Sequence, residues 1–145
     1  MKLQTIAGAA EKAGLQTFAT CVRATSHIRI LEGDGPFTVF APTDAAFGKF
    51  SRGALDRLLD GDPELRDRVI GYHLASGKVV ASQLRGRRIR AVMRAGGDLI
   101  IDGRAGLRVN AAQIVETDIL AANGVIHAID TVLWPREPAV AAASA

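Results

Sequence analysis

The sequence predicts an α+β domain, and three observations carry that expectation. Helical periodicity dominates the first part of the chain and period-two alternation the later part, so helices precede strands instead of alternating with them. The chain has 145 residues, 48% hydrophobic and 23% charged, the balance of one folded domain. A chain of this size buries roughly 70% of its unfolded surface, enough for one core, whereas two domains would starve both. The lone cysteine, Cys21, excludes an intramolecular disulfide framework and a thiol-ligated zinc site. Collagen-like, mucin-like and disordered classes are excluded by the same composition.

The elements follow in chain order. Ile6, Ala9, Ala10 and Ala13 keep helical spacing, Gly14 suits the stop, and Phe18, Val22 and either Cys21 or Thr25 continue a second apolar face. Gly33-Asp34-Gly35-Pro36 is strong turn chemistry. Phe37 to Ala41 then reads as a short buried strand bounded by Pro42. Thr43 and Asp44 both suit the cap of a helix carrying Ala45, Ala46, Phe47 and Phe50. Asp62, Pro63 and Glu64 supply a cap, a first-turn proline and a dipole-matched carboxylate before Leu65, Val69, Ile70 and His73, and that helix is expected to end near Ser76-Gly77.

Strand alternation takes over from there. Ile89, Ala91 and Met93 alternate with Arg88, Arg90 and Val92, Gly96-Gly97 turns the chain, and Leu99-Ile100-Ile101 returns. Asp102-Gly103 turns it again, Leu107 and Val109 flank Arg108, and Ala122-Asn123-Gly124 joins Ile119-Leu120 to Val125–Ile129 as a hairpin. No internal repeat is visible, and after Pro135 the residues 136–145 lack periodic partners and are expected to fray.

The formal net charge of +3 is mild, but its distribution is uneven. From Lys78 to Arg108 there are eight basic and two acidic residues, so this stretch carries +6 and everything else −3. The opening residues hold no apolar run of the roughly 7 to 15 residues that a signal peptide needs. No window approaches the roughly 20 apolar residues of a membrane-spanning helix. The chain therefore reads as soluble, either cytoplasmic or a mature form without its leader.

Two blocks carry a resemblance. Phe37 to Phe47, Phe-Thr-Val-Phe-Ala-Pro-Thr-Asp-Ala-Ala-Phe, and Asn123 to Leu133, Asn-Gly-Val-Ile-His-Ala-Ile-Asp-Thr-Val-Leu, resemble the two signature blocks of the fasciclin (FAS1) domain, and Tyr72-His73 stands where that family carries its tyrosine-histidine pair. The resemblance covers roughly residues 3 to 135, and the expected division is a single fasciclin-like domain over 1–135 with the tail behind it. It implies a β-sandwich or wedge of about seven strands flanked by helices from the N-terminal half. It also implies a non-enzymatic module for adhesion, matrix or cell-surface contacts, secreted, periplasmic or surface-exposed, without a cofactor.

Candidate contact residues follow from the resemblance and from charge. Tyr72 and His73 resemble a pair linked to integrin recognition in animal members; their structural reading is a core aromatic and a hydrogen-bonded histidine. Asp118 and Ile119 fall where some animal members carry an aspartate-isoleucine adhesion motif, against the plainer reading of a strand edge with Ile119 buried. The composition, with 14 Arg, 4 Lys and abundant Ala, looks more bacterial than animal and weakens an integrin reading. The resemblance does not explain Arg85, Arg87, Arg88, Arg90, Arg94 and Arg108. Strand alternation puts Arg88 and Arg90 on one face, where guanidinium groups bind carboxylates or phosphates bidentately. An acidic polysaccharide or a protein at a cell surface is the expected partner, an anionic lipid is chemically reasonable, and nucleic acid is the weakest choice because no aromatics interleave for base stacking.

Catalytic readings find little support. His27, His73 and His127 are widely separated, without metal-ligand spacing, and no phosphate loop, nucleophile elbow or carboxylate pair is present. Cys21 on an apolar helical face and His127 between Val125 and Ile129 read as core residues. The alternative function from a different class is a carrier of a small apolar ligand, a lipid or pigment, in a cleft between helices and sheet.

Overall fold

The structure, a computed structural model, describes residues 5–25, 27–33, 35–49, 56, 58, 61, 63–93, 98–104, 106–110 and 112–133. Of the expectations above, those on Asp34, Phe50, Asp62, Arg94, Gly96-Gly97 and the tail at 136–145 lie outside the described residues.

Helices α1 (Ile6–Lys12) and α2 (Gln16–Arg23) are separated where the sequence places a stop, with Gly14 at a φ of 90° that an L side chain rarely adopts. A short α3 (His27–Leu31) follows, then strand β1 (Phe37–Pro42), which includes the proline expected to bound it. Helix α4 (Asp44–Phe47) is capped by Thr43, whose Oγ1 accepts the Ala46 N–H at 3.1 Å. Asp44, the other cap candidate, reaches instead across to α2, where its Oδ1 accepts the Thr17 N–H at 2.8 Å. The first block thus ties strand, helix and N-terminal helices together.

Helix α5 (Pro63–Gly71) buries Leu65, Val69 and Ile70 as expected but ends at Gly71, short of Ser76-Gly77. Leu74–Ser76 is strand β2, pairing antiparallel with β1 in the register Phe37↔Ser76 and Val39↔Leu74; a long-range ladder claims residues that local periodicity would assign to the helix. After α6 (Ala81–Leu84) come β3 (Arg88–Val92), β4 (Asp98–Asp102), β5 (Arg108–Val109), β6 (Ala112–Ala121) and β7 (Gly124–Ile129).

The described strands form one mixed sheet of seven in the order β2-β1-β7-β6-β5-β4-β3. Only the central β1–β7 pair is parallel among these neighbours, with Val39 opposite Ile126 and Ala41 opposite Ala128. Both faces of that pair are covered. Val39, Ala41, Ile126 and Ala128 pack against Ile6, Phe18, Val22, Phe47, Leu65 and Val69 of the helices. Phe40 and Ile129, on the opposite face, share a second core with Leu99, Ile101, Val109 and Leu84. The β4–β5 half therefore curls over the central strands, and a 2.8 Å bond from the Tyr72 hydroxyl to the Asp98 carbonyl closes the wedge. The architecture is α+β, as the sequence pattern predicts, with the wedge of seven strands and early helices that the resemblance implies.

Candidate functional site

Alternation along β3 and β4 sorts their side chains between core and solvent. Leu99 and Ile101 are buried in the second core and Ile89 and Ala91 pack against it, while Arg88 and Arg90 are exposed on the outer face. Register then lines up Arg88, Asp102 and Arg108 across three strands, with Arg90 opposite Ile100 and Val92 opposite Asp98. Arg85 and Arg87 approach this face from a loop fastened to β4 by the Gly86 N–H on the Gly103 carbonyl at 2.9 Å and the Gly103 N–H on the Arg87 carbonyl at 2.7 Å. A Cβ at Gly103 would lie 1.9 Å from the Leu84 carbonyl oxygen, so only glycine allows this close approach.

The electrostatics of the face are partly balanced. Asp102 is held at 2.9 Å by Arg104, whose side-chain and backbone hydrogen bonds, with the nearby charges of Arg104 and Arg88, lower its carboxyl from 3.8 to about 2. Arg90 lies 3.4 Å from Asp98, an exposed pair of small energetic weight. Among the described residues, Arg85, Arg87, Arg88 and Arg108 have no carboxylate within ion-pair distance. Among the described residues the outer face thus carries the guanidinium groups of Arg88, Arg90, Arg104 and Arg108 and the carboxylates of Asp98 and Asp102, with Arg85 and Arg87 exposed in the adjoining loop and a shallow groove between Asp102, Arg104, Gly106 and Arg108. Arg104, one of the eight basic residues from Lys78 to Arg108, also joins the face, although strand alternation does not single it out. Its position next to the Asp102-Gly103 turn, outside the strand alternation, hid it.

Tyr72 and His73 are brought into the interior, at 5% and 0% exposure. The Tyr72 hydroxyl donates to the Asp98 carbonyl and accepts from the Asn110 amide at 3.4 Å. His73 donates from Nδ1 to the Val69 carbonyl at 2.6 Å and accepts the Leu133 N–H at Nε2 at 2.9 Å, which defines its neutral tautomer. Burial pushes its pKa from 6.5 down to about 4. A partner reaching either ring would have to open these bonds.

Asp118 and Ile119 occupy an irregular stretch of β6, where the pairing with β7 shifts between Glu116 and Ile119 and Asp118 takes a φ of 57°. The bulge turns the Asp118 carboxylate toward α6, where Oδ1 accepts the Ala81 N–H at 2.9 Å, yet 41% of the side chain stays exposed. Ile119 is half-buried against the helical core. Behind Asp118 sits His127, fully buried and stacked on Phe40 at 5.7 Å; it accepts the Asp118 N–H at Nδ1 and donates from Nε2 to the Val79 carbonyl at 2.8 Å. The structure therefore separates the two candidate groups: the arginines share one end of the sheet, while Tyr72, His73, Asp118 and Ile119 are tied to its interior joints.

A curled seven-stranded mixed sheet backed by N-terminal helices is the architecture of the FAS1 fold. The FAS1 domain pair from the insect cell adhesion molecule Fasciclin I superposes with a TM-score of 0.78 at 20% identity, over 91% of this chain and 51% of that one, a likeness of fold. The sequence profile of the Fasciclin domain matches residues 13–135, and the chain belongs to the fasciclin domain family. Protein sll1483 of Synechocystis is 38% identical over 130 residues, 85% of this chain and 70% of that protein. Cell surface glycolipoprotein MPB83 of Mycobacterium bovis is 37% identical over 102 residues, 70% of this chain and 44% of that protein. Among the described residues no helix is long and apolar enough to cross a membrane.

Proposed function

We propose that the chain is a non-enzymatic binding module for adhesion or surface contacts, and that the arginine face of β3–β5 with the 85–87 loop is its contact surface for an anionic polymer. The observation that carries this reading is that Arg88, Arg90, Arg104 and Arg108, with Arg85 and Arg87 in the adjoining loop, stand exposed at one end of the sheet and that, among the described residues there, Asp98 and Asp102 are the carboxylates. Guanidinium groups without carboxylate partners recognise carboxylates and phosphates bidentately, and several together give a salt-sensitive hold on a polymer. The setting agrees with relatives named as a cell surface glycolipoprotein and a cell adhesion molecule. Tyr72 and His73 serve this reading as internal ties that hold the wedge closed.

The test is a glycan-array screen of the protein beside an Arg88→Ala, Arg90→Ala, Arg108→Ala variant at low and moderate salt. A specific hit that weakens about tenfold or more in the variant and as salt rises is expected. Equal binding by the variant reduces the face to a solvated surface.

A further inference from the structure

We propose that β3 is a docking strand: its free edge takes up an extended acidic peptide as an added antiparallel strand, with the peptide's carboxylates lying over Arg88 and Arg90. The inference rests on the arginine face being the contact surface and names its partner as a polypeptide. β3 ends the sheet order, and among the described residues nothing pairs with its outer edge.

The phase of the ladder fixes what that edge offers. The Gly103 N–H donates to the Arg87 carbonyl, and the register runs on as Arg88↔Asp102, Ile89↔Ile101, Arg90↔Ile100 and Ala91↔Leu99. Antiparallel pairs alternate between bonded and non-bonded, so the bonds to β4 fall at Ile89 and Ala91. The N–H and C=O groups of Arg88, Arg90 and Val92 therefore turn outward. Each arginine of the strand presents an open donor and acceptor at the edge and a guanidinium on the outer face above it. On the other face Ile89 and Ala91 are only half-buried, leaving apolar surface at the rim.

A peptide alternating acidic and apolar residues meets all three features at once. Antiparallel pairing sets each of its carboxylates directly opposite a guanidinium, within reach of a cross-strand charge pair. A second copy of β3 would set arginine against arginine, so the same residues bar self-pairing and select a partner of opposite sign. Main-chain bonds supply affinity and the alternating side chains supply choice, as in other strand-addition complexes.

The experiment titrates the full chain with an alternating Glu-Val peptide of about ten residues, and with two derivatives N-methylated either at the glutamates, whose N–H groups face β3, or at the valines, whose N–H groups face away. Polygalacturonate serves as an anionic polymer without a peptide backbone. The expected result is binding of the parent peptide, a loss of about tenfold or more on glutamate methylation, little change on valine methylation, and slowed amide exchange at Arg88 and Arg90. If the two methylated peptides bind alike, or if polygalacturonate binds and the peptide does not, edge pairing is overturned while the arginine face stands. If neither peptide nor polygalacturonate binds, both readings fall.

Discussion

Strands β7 and β3 belong to one sheet yet live under opposite constraints. β7 is buried at all six positions, squeezed between the helices on one face and the curled half of the sheet on the other. Among the described residues, β3 has a neighbour on one side only, with its arginines in solvent and Ile89 and Ala91 at the rim of the second core. Place in the sheet order, more than propensity, sets what each strand can specify. The centre is committed to packing, where every side chain has two layers to satisfy, and the edge is free to carry recognition.

The sharpest way to break the contrast is at Gly124, the first residue of β7. A Cβ there would lie 2.2 Å from the Phe37 carbonyl oxygen, a backbone atom held by the β1–β7 pairing. Gly124→Ala is expected to cost about 4 kcal/mol, read as a lower urea midpoint, because relief requires the central ladder to shift.

The next effect in size is the pH dependence that His73 imposes on the interior. Its folded pKa of about 4 lies below the ordinary 6.5, so between those values the unfolded chain takes up a proton that the folded chain refuses. The His73 contribution to stability then falls as pH drops through this window and levels off below it, by about 3 kcal/mol in all. Urea titrations from neutral pH to about pH 4 check this slope, which His73→Gln should remove whatever its absolute stability.

The smallest effect is expected at the other end of the comparison. Arg88→Ala with Arg90→Ala should change the unfolding free energy by no more than about 0.5 kcal/mol per site, since exposed charges contribute little to folding. A larger loss would mean that β3 supports the fold as β7 does.

The same contrast decides what was legible in the sequence. The alternation of Arg88 to Ala91 and the Asn123-Gly124 turn are local patterns, and both stand in the structure. The end of α5 was misread because Leu74–Ser76 answers to β1, far away in the chain. Asp44 looked like the cap of its own helix, yet its oxygen serves α2. Asp118 could be read as an adhesion ligand or as part of a strand edge, and one of its carboxylate oxygens accepts the Ala81 N–H at the start of α6. In each case the residue's type announced a hydrogen-bonding capacity, and only tertiary proximity chose the partner. The arginine face was read in outline from strand period, but its neutralising residues, Asp98 and Asp102, became part of it only through the β3–β4 register.

The parallel pairing of β1 with β7 also bears on how the protein is made. β1 leaves the ribosome well before β7, which fills the space on its other edge and is the last of the described strands to be synthesised. Until β7 arrives, the helical layer has only half of its floor, and Val39 and Ala41 have no Ile126 or Ala128 beside them. Contacts so distant along the chain pay their closure entropy before they return any stability, which slows folding. The growing chain must therefore carry an apolar β1 that has β2 on one edge and nothing on the other until the segment from Gly124 to Ile129 arrives and completes the central pair.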